Sequence, residues 1–392
     1  MGGIRVAIVG AGIGGLTAAN ALRRRGIHAE VFEQAAALGE VGAGVAISPN
    51  ASRLLGRVGL LEELARRSSP LRGGYYHRRM DGTVAAIHKP PVMNEQTVVY
   101  GVHRADLIDI LAGGLPEGTV HTGHRLASLS QDALGVELVF ENGERHRADA
   151  VIGADGIHSA VRPSVVAEQP AVASGTAAYR AVIPAEPEDD ADAGISTLWM
   201  GPRRHFLVYP VRANTLINIV AMVPAPDGAR ESWTAPGDPA ELAREFAGWD
   251  PVVGRLIQRV ESTFLWGLFD REPLPSWHRG RIALLGDAAH SMLPHLGQGA
   301  NQTIEDGFAL AAALEGASAA EVPQALALYE SARLTRAATV QRASRHTGEL
   351  IDADEDSDLE RRDEELRRSL AFRMWLHEHD ADSVAPPVPA PV

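Results

Sequence analysis

The run Gly10-Ala11-Gly12-Ile13-Gly14-Gly15 stands between a β-branched apolar stretch, residues 4–9, and an Ala- and Leu-rich stretch, residues 16–25. The first reads as a buried strand, the second as a helix ended by Gly26. Each glycine has a separate physical task. Gly10 permits the tight turn, Gly12 lets the backbone approach a pyrophosphate, and Gly15 lets the helix pack closely on the strand. The helix start then offers free N–H groups and the positive end of its dipole to phosphate. A second strand at residues 29–32 closes with Glu33, eighteen positions after Gly15, where a carboxylate can bind ribose hydroxyls. Taken alone, this βαβ unit leaves a plain NAD-binding domain open, and also a glycine-rich loop with no ligand.

Bulk properties remove other classes. The 392 residues suit about two domains. A net charge of -13 argues against a nucleic-acid partner, which wants a basic face; the Arg23-Arg24-Arg25 run reads as the solvated end of a helix. With no cysteine, disulfides, thiolate nucleophiles and iron–sulfur clusters are excluded. No metal site is expected, and the acidic stretch 352–358 reads as a solvated linker. No apolar run approaches the roughly 20 residues of a membrane span. Residues 4–9 are too short for a signal peptide and run straight into the glycine loop. The expectation is a cytoplasmic protein with no membrane partner, a monomer or homodimer.

Further along, residues 50–66 read as a helix pair, 103–111 as a helix and 136–147 as a hairpin about Asn142-Gly143. Strands are expected at 177–183, 196–200, 205–211 and 216–223, and helices at 239–248 and 252–260. Helices fill most of 304–350 and 359–378. The fold class is α/β, with α+β character in the second domain. A Rossmann-like domain takes residues 1–70, 101–173 and 275–345; an inserted antiparallel-sheet substrate domain takes 71–100 and 174–274. C-terminal helices follow at 346–380, then a disordered tail at 381–392.

Two later loops also follow apolar strands. One is Gly153-Ala154-Asp155-Gly156-Ile157-His158-Ser159-Ala160-Val161-Arg162. The other is Gly286-Asp287-Ala288-Ala289-His290, continuing to Pro294-His295-Leu296-Gly297-Gln298-Gly299-Ala300-Asn301. With the first glycine motif, this set resembles the single-component flavoprotein aromatic hydroxylases of the para-hydroxybenzoate hydroxylase fold. The resemblance covers nearly all of residues 4–345. It implies FAD as cofactor, NADH or NADPH as co-substrate, and O2 and a small aromatic as partners. The implied reaction is ring hydroxylation through a flavin C4a-hydroperoxide.

The resemblance also implies cofactor roles. Gly10, Gly12, Ile13, Gly14, Gly15, Glu33 and Gln34 belong to the dinucleotide end. Gly44 and Val45 lie in a flavin-side loop. Arg104 contacts FAD, though a surface salt bridge would also account for it. Asp155 and Gly156 lie near both FAD and NAD(P)H. Asp287 holds the ribityl or pyrophosphate region. Pro294, Gly297, Gly299, Ala300 and Asn301 pass under the flavin ring, where a helix N-terminus would stabilise negative charge on reduced flavin.

On the substrate side, His205, Leu207 and Tyr209 share one strand face. They resemble a His/Tyr pair that orients and deprotonates a ring hydroxyl in 3-hydroxybenzoate and 6-hydroxynicotinate hydroxylases; they could also be ordinary sheet residues. His295 is a further catalytic candidate, and Ile47 is expected in the pocket wall. Arg180, Arg203 or Arg204 could take a substrate carboxylate. His290 reads as structural. The Leu296-Gly297-Gln298-Gly299 loop is closer to the salicylate-hydroxylase style, so subfamily features are mixed. A natural-product or non-aromatic substrate, with hydroxylation or epoxidation, stays open. An FAD oxidoreductase without oxygen insertion would leave the second and third loops unexplained. A flavoprotein that binds FAD without turnover has no positive support.

Overall fold

The structure, a computed structural model, describes residues 3–39, 42–88, 98–167, 169–226, 235–354, 358–385 and 389–391. Its first layer is a six-stranded sheet. The order is His278–Arg279, Ile282–Leu284, Ala150–Gly153, Arg5–Val9, His28–Phe32 and Val120–His121. All neighbours run parallel except the terminal pair His278–Arg279 with Ile282–Leu284. Parallel strands buried on both faces read as continuous apolar runs, and Arg5–Val9 and Ala150–Gly153 do so. Adjacent strands of one direction also end together. The glycine loop, the Asp155 loop and the Gly286 loop therefore emerge side by side at one sheet edge.

Helices Ile13–Arg24 and Gly299–Leu314 cross closely on this sheet. A Cβ at Gly307 would stand 3.0 Å from the Ala18 nitrogen, and one at Gly15 only 1.9 Å from the Gly10 carbonyl oxygen. Close packing at both points thus requires glycine.

The second layer is an eight-stranded sheet. Its order is Pro236–Gly237, Thr263–Asp270, Val172–Pro184, Leu216–Pro224, Arg204–Val211, Ile195–Gly201, Gly74–Arg79 and Val84–His88. The expected antiparallel sheet needs one correction: Gly74–Arg79 pairs parallel to Ile195–Gly201, because these distant segments are not joined by a hairpin. One face buries Tyr179, Trp199, Phe206 and Ile219 against helices Pro239–Glu245 and Pro251–Gln258. The opposite face looks toward the first sheet.

Three sequence expectations change. Helix Val322–Ile351 runs unbroken through residue 345, where a domain boundary was drawn. The tail is not disordered at its start: Ala381 is 2% exposed, and Asp382 pairs with Arg24, Arg25 and Arg57. The arginine run ends a helix with Arg23 and Arg24 exposed, as expected, but Arg25 is half-buried and also pairs with Glu315. Positions 386–388 and 392 of the tail lie outside the described residues. Among the described residues no helix is long and apolar enough to cross a membrane.

Candidate active site

Between the two sheets lies a cavity of about 380 Å³, within the range of small-molecule sites. Gly12, Ile13 and Gly14 line it, with Gly44, Val45, Arg104, Gly156, Asp287, Pro294, Gly297, Gly299 and Ala300. Positions scattered over most of the chain thus share one wall. The glycines differ in what they leave room for. A Cβ at Gly10, whose φ is +105°, would meet the Ala154 carbonyl oxygen at 2.5 Å, and one at Gly14 would meet Leu285 and Thr303. A Cβ at Gly12 would meet nothing within 4 Å. The protein itself does not require glycine there; a ligand approaching the backbone does. Gly12 is also the N-cap of helix Ile13–Arg24, and no side chain caps that helix. Its first N–H groups are thereby left to a phosphate. The residues present fit a flavin dinucleotide.

Other expected cofactor residues act at one remove. The Glu33 carboxylate accepts from the Ala11 and Ala35 amides at 2.8 Å, bracing the glycine loop, while Gln34 is exposed. Asp155 folds back on its own loop, accepting from Ser159 Oγ at 2.6 Å and from the Ala160 and Val161 amides. Burial raises its pKa against those hydrogen bonds. Asn301 accepts from the Ser48 amide and donates to the Ala46 and Gly297 carbonyls, joining two cavity segments. Arg162, quoted in the second loop without a role, donates from Nε to the Ala288 carbonyl at 2.8 Å and from Nη2 to the Ile157 carbonyl at 2.9 Å. It ties the second loop to the third.

The strand Arg204–Val211 alternates as expected. His205, Leu207 and Tyr209 line the cavity, while Phe206 packs on Trp199 and Phe246 behind the sheet. Val220, Met222, Trp266 and Leu268 extend an apolar floor. Of the three arginines considered, Arg180 is the one that lines the cavity. Arg204 pairs with Glu245, Arg203 sits in the tight turn at φ 54°, and Arg180 lines the cavity. Arg180 Nη2 donates to the Gly44 carbonyl at 2.8 Å, and its guanidinium lies 5.0 Å from the Trp266 ring centre. Its Nε has no partner among the described residues, and burial lowers its pKa. Asn218 holds Gly44 from the other side, accepting its amide at 2.7 Å.

Ile47 is corrected. It is 0% exposed in the main core, and its neighbours Ala46 and Ser48 line the cavity instead. His295 does line the cavity, its ring 5.5 Å from that of His205. Burial and the neighbouring His205 lower its pKa to about 4, so it is neutral at neutral pH. His290 is structural as read, sharing a 2.5 Å hydrogen bond with buried Asp306.

Sequence reasoning missed Asp352. It was assigned to a solvated linker, yet its Oδ1 lies 2.6 Å from His205 Nδ1 and its side chain is 11% exposed. Burial pushes its pKa up, but the neighbouring His205 imidazole and its hydrogen bond outweigh that and hold it below the ordinary value. Also missed were Arg373, Leu376 and His377 of helix Leu370–Glu378, which line the cavity. No local signal ties an exposed-looking helix to a distant pocket.

Comparison with known proteins agrees with this geometry. A family model described as an FAD binding domain matches residues 3–344. A 3-amino-4-hydroxybenzoate 2-monooxygenase of Streptomyces platensis is 39% identical over 88% of this chain and 87% of its own. A salicylate hydroxylase of Pseudomonas putida is 36% identical over 97% of this chain and 94% of its own. The solved substrate complex of a salicylate hydroxylase superposes with a TM-score of 0.83 at 30% identity, covering 99% of each chain.

Proposed function

This chain belongs to the FAD-binding domain family as an FAD-dependent aromatic monooxygenase, and from that premise we propose that its substrate is a hydroxybenzoate-type ring. Arg180 takes the carboxylate and His205, aided by Tyr209, takes the ring hydroxyl. The observation that carries this reading is the single sheet face bearing Arg180, Leu207, His205 and Tyr209 into the cavity of the flavin loops. Two similar proteins are named for hydroxybenzoates, one bearing an additional amine.

FAD held along Gly12, Ile13, Gly14, Arg104 and Asp287 would supply the redox chemistry with NAD(P)H and O2 that ring hydroxylation needs. The chain's own residues prepare that ring. Arg180, with spare donors and no paired carboxylate among the described residues, orients an anionic substituent. Leu207, Val220 and Met222 hold the ring plane and exclude water. His205 accepts the hydroxyl proton, and the resulting phenolate is the better nucleophile toward an electrophilic oxygen. His295, neutral at neutral pH, adds no competing charge beside it.

The test is to purify the protein with FAD and follow NADH and NADPH oxidation against salicylate, 3- and 4-hydroxybenzoate and 3-amino-4-hydroxybenzoate under 18O2. Oxidation that accelerates with one ring, with a product heavier by one labelled oxygen, supports the reading. A flavin-loaded protein indifferent to the whole panel overturns the substrate class.

A further inference from the structure

Deprotonating a ring hydroxyl needs only an imidazole at the cavity, but here the imidazole is held. His205 and Asp352 are 147 positions apart, one on a central strand and the other just past the end of helix Val322–Ile351. Their contact of 2.6 Å joins a buried imidazole to a partly buried carboxylate. We infer that Asp352 is a positioning residue for His205. Its carboxylate accepts the Nδ1 proton, leaves the Nε2 lone pair for the substrate, and stabilises the imidazolium once Nε2 has taken the hydroxyl proton. This inference rests on the hydroxybenzoate reading for its last step only.

Geometry favours a shared proton over a shared ion. His205, His295 and Asp352 bring ligating atoms within 4.8 Å of one another. Two donors on a tetrahedral zinc, each at about 2.0–2.1 Å, would however stand roughly 3.3 Å apart. The 2.6 Å found here is a charge-assisted hydrogen-bond distance. A carboxylate on Nδ1 also selects one of two neutral tautomers, since each ring nitrogen is donor or acceptor according to what the other meets.

Among the described residues, the charged and titratable groups nearest His205 fit this assignment. Asp352 faces it from the long helix, and His295, neutral at neutral pH, meets it edge-on at 5.5 Å. Tyr209 lies two positions along its own strand. Across the sheet stand His77 and, in the row His205–Met200–Arg79, an arginine already paired with Asp363 at 2.8 Å. Asp352 is thus the one carboxylate among the described residues that bonds the imidazole. Support for Asp352 and His295 is mutual, because His295 packs on Gly348, four positions before it. A Cβ at Gly348 would stand 2.5 Å from the His295 ring.

The step balances simply. The ring O–H bond breaks, its proton moves to Nε2, and its electron pair stays on oxygen. When the product regains its hydroxyl the proton returns, and His205 ends neutral.

The first measurement is nitrogen-15 NMR of the histidine-labelled holoenzyme, with His205 assigned by its loss in His205→Gln. The expected result is an Nδ1–H tautomer with a far-downfield proton, absent in Asp352→Asn and restored in Asp352→Glu. The second is the pH at which bound 3-amino-4-hydroxybenzoate ionises, read by its ultraviolet spectrum. Asp352→Asn should raise that midpoint by about one to two pH units and lower kcat by about 10- to 100-fold, with KM changed less than about threefold. Asp352→Glu should recover both. An Nε2–H tautomer in the wild type, or an Asp352→Asn protein with unchanged resonance and unchanged midpoint, overturns the inference. Should no hydroxybenzoate bind the wild type, the tautomer measurement still decides the role of Asp352, and only the substrate reading falls.

Discussion

Gly12 and Gly15, three positions apart, respond oppositely to an added methyl. Gly15 is filled by the protein, since a Cβ there would lie 1.9 Å from a backbone oxygen. Gly12 is open, since a Cβ there would meet nothing within 4 Å. Gly12→Ala should therefore leave the melting of the cofactor-free protein within about 0.5 kcal/mol of wild type, yet weaken FAD binding by at least about tenfold, because the methyl occupies the phosphate approach. Gly15→Ala should instead prevent stable folding. Flavin absorbance per protein and thermal melts decide both; a Gly12→Ala protein that retains FAD normally would refute the ligand role of that opening. Arg180 is the residue whose loss should be felt by the substrate. Arg180→Gln should raise KM for a hydroxybenzoate by roughly 10- to 100-fold, the equivalent of about 1.5–3 kcal/mol for a hydrogen bond to a charged group. The same variant should scarcely alter KM for the corresponding phenol lacking the carboxylate. Equal losses for both ligands would mean that Arg180 acts only through Gly44.

At the level of elements, helix Gly299–Leu314 carries both a cavity-lining N-terminus and a buried charge network. Glu305 and Asp306 are each 0% exposed, as neighbours on this helix. Arg333 Nε donates to Asp306 at 2.8 Å, and Arg336 donates to both Glu305 oxygens at 2.8 and 2.9 Å. Arg333→Met should leave Glu305 with Arg336 and Asp306 with His290, two buried carboxylates short of their shared cation, and destabilise the holoenzyme by about 3–5 kcal/mol in urea; a loss below about 1 kcal/mol would show that the network is not structural. These elements also mark what could be read in advance. Strand Arg5–Val9, its glycine turn and helix Ile13–Arg24 are legible because their signals lie within neighbouring residues. The face of His205, Leu207 and Tyr209 follows from strand alternation alone. Asp352 was illegible because its meaning depends on a partner 147 positions away. Ile47 was misjudged because a short strand at a cavity edge has two buried sides, and apolarity does not distinguish core from pocket. The parallel pairing of Gly74–Arg79 with Ile195–Gly201 likewise has no local signature.

For the whole molecule, the histidines set how folding responds to acid. Burial lowers the pKa of His295 to about 4, with His205 adding to it, and lowers His377 to about 3 and His379 to about 4. Burial likewise lowers His103 and His146. In the unfolded chain these groups protonate near pH 6.5. Between about 6.5 and 4 the unfolded state therefore binds more protons than the folded one, and stability rises with pH across that window. The contribution is fully present above about pH 6.5 and is lost as pH falls toward 4. Glu305 and Asp306 extend the loss to lower pH: burial opposes their ionisation, but the surrounding cations hold both below the ordinary carboxylate range. His124 acts the other way. Burial would lower it, but Glu144 raises it above its ordinary value, on an exposed partner. One surface histidine does not reverse five. Melting temperature of the holoenzyme should thus be flat from pH 8 to 7 and fall steadily from 6.5 to 4, with FAD released along the same curve because His295 and His377 line the cavity. His377→Asn should make the fall shallower, removing one proton from the difference between the two states. A melting temperature that climbed on acidification from pH 7 to 5 would mean that these imidazoles are charged in the folded protein.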